Sequence, residues 1–196
     1  MPLDPAPRAR RNRWVLLAIL AVCVAPVIAS YLVYYLVKPD GRTNYGELLD
    51  PQRATDGLVV READGTPAAL DALRGKWVLL TVATQGCDER CAARLYAMRQ
   101  VRLTTGRERD RVERVLLLSG DGAPAPSLLA EHEGLRVWRT TEDLARWLPP
   151  EQGGLLQDHI FVVDPLGNVM LRFPRSADPN RMKKDIARLL RASRVG

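Results

Sequence analysis

Gly86-Cys87-Asp88-Glu89-Arg90-Cys91 stands where one hydrophobic pattern gives way to another. Just before it runs Lys76-Trp77-Val78-Leu79-Leu80-Thr81-Val82-Ala83, a short apolar stretch with β-branched residues. Just after it, Leu95, Met98 and Val101 recur at helical spacing. The pattern predicts a strand that ends in a tight turn and feeds a helix. The first sulfur then lies at the helix N-terminus, where free N–H groups favour a thiolate. The second lies four residues on, on the same helical face.

This is the thioredoxin-type arrangement, and the rest of the domain reads outward from it. Leu58-Val59-Val60 predicts a short strand, Ala63-Asp64-Gly65-Thr66 a turn, and Ala68 to Leu73 a short helical piece ended by Gly75. The helix after Cys87 should run to about Thr104 and stop near Gly106. Arg114 to Ser119, with Val115-Leu116-Leu117-Leu118 at its centre, fits a strand buried on both faces. Gly120-Asp121-Gly122-Ala123-Pro124 is a loop, and Ser127 is the expected N-cap of Leu128 to His132. Leu135 to Trp138 predicts a strand and Thr141 to Leu148 a short helix stopped by Pro149-Pro150. Ile160 to Val163 and Val169 to Phe173 flank Asp164-Pro165-Leu166-Gly167-Asn168, a hairpin with turn-forming residues. The last helix starts at Asp178 or Asn180 and buries Met182, Ile186, Leu189 and Leu190. Alternation of this kind implies an α/β sandwich, with helices on both sides of a mixed sheet. Trp77, Trp138 and Trp147 are expected as packing residues.

The N-terminal part has another composition. Residues 1–13 are rich in proline and arginine and read as a disordered cytoplasmic tail. Residues 14–37, from Trp14 to Val37, carry no charge. At ~1.5 Å per residue such a run spans the ~30 Å hydrocarbon core of a bilayer. Trp14 at one end and Tyr31, Tyr34 and Tyr35 toward the other suit the two interfaces. Arg8, Arg10, Arg11 and Arg13 should hold the N-terminus in the cytoplasm, so that everything after Lys38 is exported. A cleaved signal peptide would have a shorter apolar core followed by a small-residue site; here the apolar run continues past Ala29-Ser30. The expected organisation is tail 1–13, membrane helix 14–37, tether 38–56 and exported domain 57–196. About 140 residues suffice for one core.

The chain has 196 residues and a formal charge of +6. Its arginines are dispersed and no recognition motif accompanies them, which argues against a nucleic-acid partner. Of three cysteines, Cys23 lies in the apolar segment and is expected to face lipid without a role. Cys87 and Cys91 alone are too few for a disulfide framework. Three readings stay open for them: a structural disulfide, a thiol–disulfide exchange pair, or a metal clamp. Cuprous ion is soft and prefers thiolate sulfur, with imidazole as a compatible partner. His159 stands directly before an apolar strand and would complete a trigonal copper(I) site with Cys87 and Cys91. The other histidine, His132 between Glu131 and Glu133, reads as a solvated residue at a helix end. Asp88, Glu89 and Arg90 read as the polar first turn of a helix, with a docking patch as the alternative.

These residues resemble the Sco/SenC family of membrane-anchored copper chaperones. Cys87 and Cys91 match the family CxxxC. Asp158-His159, followed by Ile160-Phe161-Val162-Val163-Asp164-Pro165-Leu166-Gly167-Asn168, matches its histidine-containing DH, strand and DPxG pattern. Leu73-Arg74-Gly75-Lys76-Trp77-Val78-Leu79 is similar to the family lead-in, and Tyr45-Gly46-Glu47-Leu48 to a segment of a bacterial Sco-like subgroup. The family prolines between and after the cysteines are absent, and Ser119 to Pro124 stands where the family has an acidic loop. The resemblance implies a thioredoxin-like domain behind one membrane helix, in the bacterial inner membrane and facing the periplasm. It implies copper, as Cu(I) and also Cu(II), held by Cys87, Cys91 and His159. It implies a monomeric chaperone for the copper-bearing subunit of cytochrome c oxidase, or a partner of another copper chaperone. A tethered oxidoreductase using Cys87 and Cys91 as its catalytic pair is the other reading, and an assembly scaffold the third.

Overall fold

The computed structural model describes residues 6–37 and 44–193, which divide into two compact units, Met1–Thr43 and Asn44–Gly196. The first unit is helix α1 (Ala6–Leu32), which continues into a π-helical turn, Val33–Val37. The helix begins well inside the segment expected to be a disordered tail. It also passes through Pro26 without ending. Its stretch Asn12–Tyr35 is 24 residues long, about 36 Å at ~1.5 Å per residue, and long and apolar enough to cross a bilayer. The described side chains of this stretch are exposed, Cys23 among them. Tyr31 stacks on Tyr35 with ring centroids 5.9 Å apart, as a one-turn spacing allows.

The second unit is built on a single sheet. Its strands are β1 (Glu47–Ala54), β2 (Val60–Glu62), β3 (Pro67–Ala68), β4 (Trp77–Ala83), β5 (Val112–Leu118), β6 (Leu135–Arg139), β7 (Ile160–Val163) and β8 (Asn168–Phe173). They lie in the order β1-β8-β7-β4-β5-β6-β2-β3. The β4–β5 and β5–β6 pairs are parallel and all others antiparallel, so the sheet is mixed, as expected. The continuous apolar runs of β4 and β5 fall at the centre, where both faces are covered. Between β7 and β8 the turn closes on Asp164, whose Oδ1 accepts from the N–H groups of Leu166 and Asn168. Gly167 takes the φ of +93° that the turn needs.

The α-helices are α2 (Glu89–Thr104), α3 (Pro126–Glu131) and α4 (Pro179–Ala192). One core joins Leu79, Leu116, Ile160 and Leu171 of the sheet to Leu95 and Met98 of α2 and Met182 and Ile186 of α4. Leu128 of α3 packs against the same core. The alternate strand residues Leu80, Val82, Leu117 and Phe161 point the other way, into a second core. Its cover is Leu70, Leu73, Leu144, Trp147 and Leu148. That corrects the expectation of helices on both sides, because this face carries 3-10 turns at Leu70–Leu73 and Leu144–Arg146 instead. Asp143 caps the second turn, its side chain accepting the Ala145 N–H, so the turn starts only at Leu144 and leaves little chain before Pro149-Pro150. The N-cap of α3 is Ala125, with Pro126 at its first position and Ser127 already inside. Trp77, Trp138 and Trp147 are buried, as expected.

Part of the tether is sheet. Residues 47–54, placed between membrane and domain by sequence, form β1 and pair with β8. The entry to β1 is fastened to α4, where the Asp185 carboxylate accepts from the N–H groups of Tyr45 and Gly46 at 2.7 and 2.8 Å. The Tyr45 ring lies under the Arg181 guanidinium at 4.0 Å. Residues 38–43 lie outside the described residues.

Candidate redox centre

The cysteine loop owes its position to glycines. β4 ends at Ala83, and residues 84–86 carry the chain across to α2, with Gly86 at a φ of +84°. The loop after β5 lies backbone to backbone against them. A Cβ on Gly122 would fall 2.0 Å from the Gly86 nitrogen, and one on Gly120 would fall 2.0 Å from the Thr84 oxygen. No side chain fits at either place, so Gly120-Asp121-Gly122 forms a seat for the loop that carries Cys87.

Asp88 is the N-cap of α2, and its Oδ1 accepts the Cys91 N–H at 2.8 Å. Cys87 and Cys91 are joined by a disulfide across this first turn, with Cα atoms 5.1 Å apart. Cys91 is buried at 1% exposure, whereas Cys87 is half-buried. The pair is therefore asymmetric, with an accessible sulfur backed by an enclosed one. The helix N-terminus favours a thiolate at Cys87, and the adjoining Asp88 carboxylate opposes it.

Behind the disulfide is a cleft of about 260 Å³ lined by Cys91, Asp88, Arg90, Arg94, Gln157 and Asp158, among others. Arg94 sits one turn past Cys91 in the inward stripe of α2, and it is only 9% exposed. Its Nε donates to Thr81 Oγ1 at 2.9 Å, and that hydroxyl donates to the His159 carbonyl at 3.0 Å. This chain of bonds ties α2, β4 and the entry to β7 together. Burial lowers the pKa of Arg94, the Asp88 and Asp158 carboxylates raise it in part, and Arg90 lowers it further. It nevertheless stays a cation, since a guanidinium does not deprotonate in proteins. Asp158 is buried across the cleft, ion-paired to Arg175. Sequence reading missed Arg94, Thr81 and Asp158 as parts of the site. The available signal was an arginine within the apolar stripe Cys91, Leu95, Met98.

His159 is not part of this cluster. Its ring is 1% exposed and packs at a steep angle on Phe161, a residue of the second core, whereas Cys91 belongs to the first. Residues alternate faces on entering β7, so Asp158 lines the cleft and the next side chain turns away. Nδ1 lies 3.0 Å from the Phe173 carbonyl, and Nε2 accepts the Glu151 N–H at 3.4 Å. Those contacts suit Nδ1 as the donor and Nε2 as the acceptor. Both ring nitrogens are thus engaged within the domain. Among the described residues no three His, Cys, Asp or Glu side chains converge as a metal site. The donor set expected for copper is not assembled in this arrangement: the two sulfurs are bonded to each other, and His159 is not among the residues lining the cleft that Cys91 lines. His132 departs from expectation too. It is 4% exposed, not solvated, and its Nδ1 has no hydrogen-bond partner among the described residues.

A strand–turn–helix carrying a cysteine pair on a mixed sheet, preceded by one N-terminal helix long and apolar enough to cross a membrane, defines a protein of the thioredoxin-like class with a candidate membrane helix. The chain belongs to the family described as transmembrane-like, thioredoxin-like, C-terminal domain, whose family model matches residues 77–193. The companion description, transmembrane-like, N-terminal domain, matches residues 5–37. Among curated proteins none matches the chain. Its structural neighbours include Sco proteins. Apo Sco1 from Thermus thermophilus is 19% identical, covering 76% of this chain and 99% of its own, with a TM-score of 0.55. Yeast Sco1 is 13% identical, covering 74% of this chain and 98% of its own, with a TM-score of 0.58. The same yeast protein with copper bound is 13% identical, covering 69% and 91%, with a TM-score of 0.54. At these identities the likeness is one of fold.

Proposed function

We propose that the exported domain acts in assembling the copper-bearing subunit of cytochrome c oxidase, and that its chemical step is thiol–disulfide exchange. The observation that carries this reading is the asymmetry of the Cys87–Cys91 pair at the start of α2. In the reduced protein the Cys87 thiolate attacks one sulfur of a partner disulfide. The partner's other sulfur leaves as a thiolate and takes up a proton. Cys91 then attacks Cys87 within the mixed disulfide and releases the partner's second thiol. The partner gains two electrons and two protons, and the cysteine pair loses them. A membrane-side dithiol protein regenerates the reduced form. The partner's cysteines emerge as thiols, the state in which cysteine binds copper.

Two results test the reading in the full chain held in detergent. The Cys91→Ser variant should accumulate a mixed disulfide through Cys87, visible by mass spectrometry. The reduced wild type should reduce the small uncharged bis(2-hydroxyethyl) disulfide. Failure of both rules exchange out.

Copper carriage is the second reading, supported by the fold shared with yeast Sco1, a protein whose structure is known with copper bound. Copper is then cargo, and reduction of the disulfide must precede its capture. The expected result is one Cu(I) per reduced monomer in competition with a calibrated chelator, lost in the Cys87→Ser, Cys91→Ser double variant. Weaker binding in His159→Ala would mean that His159 leaves its bond to Phe173 to join the site. The orientation proposed is N-terminus in the cytoplasm and domain in the periplasm of a bacterial inner membrane.

A further inference from the structure

A groove runs along one side of α2. It is a depression of about 760 Å³, with Ala92, Ala93 and Ala97 as a low floor. Leu128 and His132 of α3 form one wall, and the segment from Arg175 to Pro179 forms the other. Arg90, Arg94 and Asp158 line both this groove and the cleft behind the disulfide, so the two adjoin. The groove bears four arginines, Arg90, Arg94, Arg99 and Arg175, against Glu131 and Asp158. Only Arg175 is neutralised, by Asp158. Arg90, Arg94 and Arg99 have no ion-pair partner among the described residues.

One group with donors to spare points to a ligand. Arg94 is 9% exposed, and beyond its Nε bond to Thr81 its guanidinium makes no hydrogen bond among the described residues. The terminal nitrogens of Arg94 are neither bonded nor enclosed among the described residues, so they stand open as donors where Arg94 lines the groove. The Tyr96 side chain, 55% exposed, supplies the one large apolar contact on the rim.

We propose that this groove docks an acidic, cysteine-bearing segment of the partner protein beside the cleft that Cys91 lines. The proposal rests on the exchange reading for its purpose but not for its test. The occupant is a polypeptide, because the groove is large and apolar-floored and adjoins the cleft lined by Cys91. It is acidic, because three unpaired guanidinium groups line its bed. Carboxylates laid there take bidentate hydrogen bonds from arginine. Charge complementarity also speeds encounter and orients it.

The experiment uses the full chain in detergent and two fluorescein-labelled peptides. In both, serines stand for the cysteines, so binding is read without any redox step. One peptide is flanked by glutamates, the other by lysines. The glutamate peptide should bind at least about 10-fold more tightly, and raised salt should shrink the difference. The Arg90→Glu, Arg99→Glu double variant should reverse the order of the two peptides. That arm matters because the chain is basic overall and its N-terminal arginines could also attract acid. Equal affinity for the two peptides in the wild type overturns the proposal, and so does glutamate-peptide affinity unchanged in the double variant. Reduction of bis(2-hydroxyethyl) disulfide, measured on the same sample, reports separately on the exchange reading.

Discussion

Asp185 holds two otherwise loose backbone donors with a single carboxylate. It is 2% exposed, and Ala in its place leaves the N–H groups of Tyr45 and Gly46 without their acceptor. We expect Asp185→Ala to lower unfolding stability by about 3 kcal/mol in denaturant titration, the cost of orphaned donors to a charged group. Asn should recover part of that, because it keeps one acceptor oxygen. His159 has a comparable structural role, and His159→Ala should cost about 2–4 kcal/mol through its cavity and the freed Phe173 carbonyl. Asp88 has a double effect, capping α2 while placing a negative charge beside Cys87. Asn in its place keeps the cap and removes the charge. Alkylation of reduced Cys87 by iodoacetamide should therefore be faster in Asp88→Asn than in the wild type at neutral pH, with no large change in stability. A slower reaction in Asp88→Asn would mean that the carboxylate assists the thiolate.

The loop after β5 and the loop before α2 make one unit. Their close approach depends on two residues without side chains, and Gly122→Ala puts a carbon 2.0 Å from the Gly86 nitrogen. The clash involves backbone on both sides, so neither side can rotate out of the way. Gly122→Ala should displace the Cys87 loop, slow exchange with bis(2-hydroxyethyl) disulfide several-fold and leave α4 protected in hydrogen exchange. At the end of α3, His132 links fold to pH. Burial first, then Arg114 and Arg99, hold its pKa below the ordinary imidazole value, and Glu131 opposes them. The native state thus resists the proton that the unfolded chain accepts. The stability from neutral His132 is complete above about pH 6.5 and is lost as pH falls below it. Wild-type stability should therefore decline between neutral and mildly acid pH more steeply than that of His132→Gln.

The two units answer to different solvents. α1 leaves its apolar side chains open, as a helix in lipid does, whereas the second unit buries two cores on either face of one sheet. A phosphatase that folds only in an oxidising compartment, fused after Gly196, should be active if the arginines before Trp14 hold the N-terminus in the cytoplasm. An inactive but fully expressed fusion would reverse the orientation. Because β1 and Tyr45 belong to the folded unit, truncation to residue 57 should remove an edge strand and a clamp on α4, and the shortened domain should unfold at lower temperature.

Local pattern was enough to show the membrane helix, the strand–turn–helix around Cys87, the buried central strand and the β7–β8 hairpin. Each rests on apolar periodicity or turn chemistry within about a dozen residues. The extent of α2 and the N-cap at Asp178 follow from the same local rules. Long-range pairing lay outside their reach. Residues 47–54 alternate weakly and contain Pro51, so only the open edge of β8 makes them a strand. Gly120 and Gly122 read as an ordinary loop until another loop is packed on them. His159 is the sharpest case. Its place before a strand was legible, but the face it takes depends on β-alternation and on a carbonyl fourteen residues away in β8. A sequence shows which side chains could bind a metal or carry a redox step. Only the packed sheet decides which of them point the same way, because one residue along a strand turns a side chain to the opposite face.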